Sequence, residues 1–68
     1  DIAYFLSFCI EQYKMEQGLS GEEVMNLFER YNVLPYLSDN FEVLHTQSRQ
    51  WLLEEIEDYI AKRKEEIQ

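Results

Sequence analysis

The shortness of the chain is the feature that most constrains its fold. A domain of 68 residues buries only about 60% of the surface that its unfolded form exposes, so its stability margin is small. Disulfides, a bound metal or oligomerisation usually stabilise domains of this size. The single cysteine, Cys9, excludes an internal disulfide, and together with the single histidine, His45, it supplies no ligand cluster for a structural zinc. Dense packing of the aromatic side chains, or self-association, must therefore stabilise the fold.

The charge of the chain narrows the classes of partner. Fourteen acidic against six basic residues give a formal net charge of −8. Nucleic acids and anionic membranes both require basic residues at the contact, so we expect neither as a partner. No apolar run approaches the roughly 18 residues of a membrane-spanning helix, and one free thiol is typical of a reducing compartment. We therefore predict a soluble, cytoplasmic protein whose charge suits a basic partner or serves solubility alone.

The spacing of apolar residues predicts an all-α fold. A first helix ends at Gly18, the residue that best adopts a left-handed C-terminal conformation. Ser20 followed by Glu23 forms a capping box, which is a strong signal for the start of a second helix. We predict one domain over residues 1–68, a small bundle of three main helices with a short irregular or helical connection before the last. The predicted helices span residues 2–17, 21–31, 34–39 and 47–64, with the last two residues of the chain frayed.

The run from His45 to Ser48 is the most distinctive polar segment. A serine nucleophile needs a base that a third group holds in place, and no such set is readable here. We therefore interpret Thr46 or Ser48 as the cap of the last helix and expect His45 to bond a backbone carbonyl or a tyrosine. Cys9 lies mid-helix among aromatic residues, where burial makes a thiol inert. The sequence thus predicts no enzyme, no catalytic residue and no cofactor.

An acidic run near the end of the chain has two interpretations. Glu54 and Asp58 are four residues apart and share one helix face. No loop offers the several oxygen ligands that calcium requires, and no Glu-x-x-His pair indicates a di-iron site, so we predict no metal. A solvated face and an electrostatic docking surface are the interpretations that remain.

The aromatic residues outnumber those that three short helices can easily bury. Exposed Tyr, Trp and Phe side chains are typical of interface centres. A homodimer through the first helix and a groove for a different protein both explain the excess. The residues predicted to bind the partner are Tyr4, Phe8, Tyr36, Trp51, Glu54 and Asp58.

Several segments follow a pattern that covers nearly the whole chain. They are the sequence VLHTQS at 43–48 with WLLEEI at 51–56, preceded by GEEVMNLF at 21–28 and YNVLPYL at 31–37. In these segments the chain resembles a bacterial family of domains of unknown function, whose members are short, acidic and helical. The genes of such members often lie beside one for a protein similar to ADP-ribosyltransferases. The resemblance therefore implies a paired, toxin–antitoxin-like arrangement with that protein.

We accordingly predict a non-catalytic protein–protein interaction module. It would be the antitoxin-like or regulatory partner of a neighbouring bacterial toxin or enzyme, with aromatic anchors buried at the contact and acids that steer association. The alternative is an acidic decoy or DNA mimic that occupies a basic nucleic-acid-binding site. A decoy predicts acids over one continuous face and binding that disappears at moderate salt.

Overall fold

The computed structural model describes residues 1–67 and shows an all-helical protein, with no strand in that range. The predicted all-α class is confirmed. The connection before the last helix is helical, which is one of the two predicted forms: a helix corresponds to the predicted span 34–39, and a second short helix that was not predicted follows it. The helices are α1 (Ile2–Gln17), α2 (Gly21–Arg30), α3 (Val33–Asp39), α4 (Phe41–Leu44) and α5 (Arg49–Ile67). Helix α5 thus begins and ends later than predicted, and the expected fraying of Gln68 lies outside the described residues.

The turn between α1 and α2 depends on Gly18. This residue has φ 66° and ψ 35°, a left-handed conformation that a side chain disfavours. Its backbone N–H donates to the carbonyl of Lys14, and the N–H of Leu19 donates to the same carbonyl at 3.1 Å. The Lys14 carbonyl in the last turn of α1 thus accepts two hydrogen bonds, and the chain turns at once into the neighbouring helix.

The predicted capping box is present at the start of α2. The Ser20 hydroxyl accepts from the Glu23 N–H at 3.1 Å, and the Glu23 carboxylate accepts from the Ser20 N–H at 2.9 Å. The hydrogen bond from the Ser20 backbone N–H, and after it the Ser20 side chain, lower the pKa of the Glu23 carboxyl. The cap fixes the register of α2, which places Val24 and Phe28 in the core with no exposed surface.

Replacement of Ser20 by alanine is expected to lower the free energy of unfolding by about 1 kcal/mol, because the Glu23 N–H in the first turn of α2 loses the hydroxyl that accepts its hydrogen bond. Urea denaturation monitored by circular dichroism measures the change. Ser20→Asp is the matched control, since its carboxylate also caps an amide and should retain most of the stability. Equal midpoints for Ser20→Ala and the wild type would show that the Ser20 hydroxyl contributes nothing to stability.

The core draws on all five helices. Asn32 adopts a left-handed conformation (φ 56°), which asparagine tolerates better than most residues and which turns the chain from α2 into α3. Through this turn α3 and α4 reach the interior, so they are structural parts of the domain. The buried residues are Phe5, Cys9, Tyr13, Val24, Phe28, Tyr31, Val33, Leu37, Leu44, Leu52, Leu53, Ile56 and Ile60.

Candidate functional site

A groove of about 300 Å³ lies between the first half of α1, helix α4 and the start of α5. Its volume is at the lower end of the range for ligand sites, and it is open to solvent. Five of its nine lining residues carry an aromatic ring, His45 included. Its lining comprises Asp1, Tyr4, Phe5, Phe8, Phe41, His45, Gln47, Arg49 and Leu52.

The aromatic walls of the groove are held by packing within the protein. The Phe5 and Phe41 rings meet edge to face with centroids 5.5 Å apart, and the His45 ring stacks on Phe41 at 4.5 Å. Tyr4 at the rim is 72% exposed, whereas Phe8 is half-buried. The groove therefore combines aromatic walls that pack within the protein with the solvent-exposed ring of Tyr4.

The VLHTQS segment contains both the end of α4 and the cap at the start of α5. The Ser48 hydroxyl accepts from the Trp51 N–H at 3.1 Å and caps α5. Thr46 instead donates to the Val43 carbonyl at 2.9 Å, which closes α4. The expected hydrogen bond of His45 is corrected to a stacking contact with Phe41, because His45 ends α4 one turn after that ring.

Arg49 brings a positive charge to the groove. Its guanidinium donates to the side chain of Gln12 and, at 3.4 Å, to the carboxylate of Glu16. Both partners lie on α1, so these hydrogen bonds join the start of α5 to α1 and hold the guanidinium of Arg49 against α1. Sequence reasoning missed this residue, since nothing in local spacing relates positions more than 30 apart.

The predicted partner-binding residues do not form one surface. Tyr4 and Phe8 line the groove, whereas Glu54 and Asp58 line a separate shallow depression between the end of α1 and α5. Trp51 is 41% exposed and belongs to neither lining. Glu54 and Asp58 therefore do not lie around Tyr4 and Phe8, as the sequence had led us to expect.

Tyr36 is engaged within the protein. Its ring stacks on Tyr59 with centroids 4.2 Å apart, and its hydroxyl donates to the carboxylate of Glu55. Burial, followed by the hydrogen bond and the charge of Glu55, raises the pKa of Tyr36 to about 12. Tyr36 therefore joins α3 to α5 and lies outside the groove, contrary to its predicted place with Tyr4 and Phe8.

A second tyrosine–glutamate pair joins α1 to α5. The hydroxyl of Tyr13, a core residue, donates to the carboxylate of Glu57. Burial first, and then the contact with Glu57, raise the pKa of Tyr13. Both pairs need a neutral phenol that donates to a charged carboxylate, so their contribution to stability depends on pH.

The groups with nucleophilic or metal-binding chemistry are not brought together. Cys9 is 1% exposed, and burial raises the pKa of its thiol to about 11, whereas His45 is exposed at the groove. Within residues 1–67, no group of three or more His, Cys, Asp and Glu side chains is arranged to hold a metal ion. No helix in this part of the chain has both the length and the apolar character to cross a bilayer.

Fold and site together define a small all-helical domain with an open aromatic groove. Residues 4–63 match the family described as "Protein of unknown function (DUF3791)", and the chain belongs to this family. The matched range includes every groove residue except Asp1. No curated protein and no solved structure matches the chain.

Proposed function

We propose that the chain is a non-catalytic protein–protein interaction module that binds its partner in the aromatic groove. The observation that carries this proposal is the 72% exposure of Tyr4 beside a groove walled by packed rings. Exposed apolar surface that adjoins a preformed concavity is typical of interaction sites.

The groove offers a favourable contact at low conformational cost. Burial of the exposed part of an aromatic side chain such as Tyr4 contributes on the order of 3 kcal/mol. The Phe5, Phe41 and His45 rings already contact one another, so a partner need not order them on binding. A partner side chain inserted next to Tyr4 and Phe8 would therefore be the centre of the contact.

The family resemblance supports one candidate partner, the ADP-ribosyltransferase-like protein encoded beside such domains. In that arrangement this domain acts in an antitoxin-like or regulatory role, by occupying a surface of the neighbouring toxin or enzyme. A homodimer through the same groove is the alternative use of the site. The alternative function, an acidic decoy or DNA mimic, requires binding to a basic nucleic-acid-binding site that disappears at moderate salt.

Co-expression of the tagged chain with the neighbouring gene product tests the proposal. We expect the two proteins to co-purify in a defined ratio, and Tyr4→Ala to abolish the complex because it removes the rim of the groove. Met25→Ala is the matched control, since Met25 is exposed on α2, away from the groove. Both variants should keep the wild-type circular dichroism spectrum.

Three outcomes would contradict the proposal. The first is the absence of a complex with the neighbouring protein, and the second is a complex that Tyr4→Ala leaves intact. The third is a stable dimer of the purified chain in light scattering that Tyr4→Ala converts to a monomer, which would assign the groove to self-association.

A further inference from the structure

The outward face of α1 continues the groove as an open stripe. Tyr4, Phe8, Glu11 and Met15 recur at intervals of four, three and four residues, and helical geometry places them on one face. Met15 is 63% exposed, and Glu11 is also exposed. The stripe rises about 16 Å along the helix, which matches three turns of a second helix laid against it.

The order of residues along the stripe determines which kind of helix could bind it. An aromatic pair occupies one end, a methionine the other, and a carboxylate lies between them. A helix with apolar residues at both ends and a basic residue in the middle fits this order. Glu11 bonds Lys14 at 3.0 Å across one turn, a surface ion pair that contributes little and that a basic partner residue can replace.

The net charge of the whole chain also favours a basic partner. Every Asp and Glu is exposed except Glu55, which is half-buried, and the net charge is −8. A second copy of the chain would bring an equal negative charge, with its own Glu11, against the stripe. Like charges at an interface oppose association, whereas a basic partner is attracted and steered to the site.

We infer that the α1 stripe and the adjoining groove bind a basic amphipathic helix of the partner protein. An apolar side chain of that helix enters the groove beside Tyr4 and Phe8, and a second covers Met15. A lysine or arginine between them contacts Glu11. This inference rests on the proposed function and specifies the class of partner segment.

A synthetic 14-residue peptide of leucine and lysine, with the leucines spaced for one helix face, is the probe. We expect its titration into the ¹⁵N-labelled chain to shift the amide signals of Tyr4, Phe8 and Met15. Tyr4→Ala and Met15→Ala should each raise the Kd about tenfold, since each removes an exposed anchor. Met25→Ala should leave the Kd unchanged, and Glu11→Gln should reduce the dependence of binding on salt.

Two control peptides make the result specific. One has the same composition in an order without an apolar face, and the other replaces every lysine with glutamate. The inference is overturned if either control binds as tightly as the probe, if binding does not depend on Tyr4 and Met15, or if the probe does not bind.

Failure of this inference is distinguishable from failure of the proposed function. If a co-expressed complex requires Tyr4 but the leucine–lysine peptide does not bind, the inferred basic helix is wrong and the proposed function stands. Peptide binding that requires Tyr4 and Met15, without a complex with the neighbouring protein, overturns that partner and supports the inferred class of segment.

Discussion

Replacement of Phe28 by alanine is expected to unfold the domain. Phe28 has no exposed surface, and its ring packs against Tyr13 with centroids 5.2 Å apart. Truncation of a buried phenylalanine typically costs about 3–5 kcal/mol, from lost burial and from the cavity that remains. A single core in a domain this small rarely supplies more than about 3–5 kcal/mol in total. The variant should therefore lack a cooperative thermal transition in circular dichroism.

Two further variants separate the core effect from a general effect of losing an aromatic ring. Phe28→Leu keeps most of the volume and should remain folded at reduced stability. Tyr4→Ala removes a ring that is 72% exposed and should change the free energy of unfolding by less than about 0.5 kcal/mol. A Phe28→Ala protein that melts like the wild type would show that the core does not depend on this ring.

The helix boundaries of the first half could be predicted because their signals are local. The capping box joins Ser20 to Glu23, and the left-handed Gly18 closes α1 within one turn. A cap requires only residues a few positions apart, so the sequence shows it directly. The helix predicted at 34–39 corresponds to α3 within one residue, because Pro35 marks its first turn. Helix α4 was not predicted, since its four residues are too few to show an apolar period.

The composition of the site depended on contacts that the sequence does not show. Tyr4 and Phe8 share a face of α1, so their common location follows from helical spacing. The separation of Glu54 and Asp58 from them depends on how α5 packs against α1. Arg49 reaches Gln12 across 37 positions, and such a pairing becomes visible only when the fold is known.

Above about pH 10 the domain is expected to lose stability through Tyr13 and Tyr36. A tyrosine in an unfolded chain has a pKa of about 10, whereas the folded protein raises the pKa of both phenols, that of Tyr36 to about 12. The unfolded state therefore releases these protons first. The contribution of the two phenols is fully present below about pH 10, and it is lost as the pH rises through the folded pKa values.

Urea denaturation at a series of alkaline pH values measures this loss, with phenolate absorbance as an independent record of ionisation. Tyr13→Phe and Tyr36→Phe should each make the fall in unfolding free energy with pH shallower, because each removes one titrating phenol. Tyr4→Phe is the matched control, since it removes a phenol from an exposed ring that makes no contact with Glu55 or Glu57. Identical slopes in all four proteins would show that neither tyrosine–glutamate pair is coupled to folding.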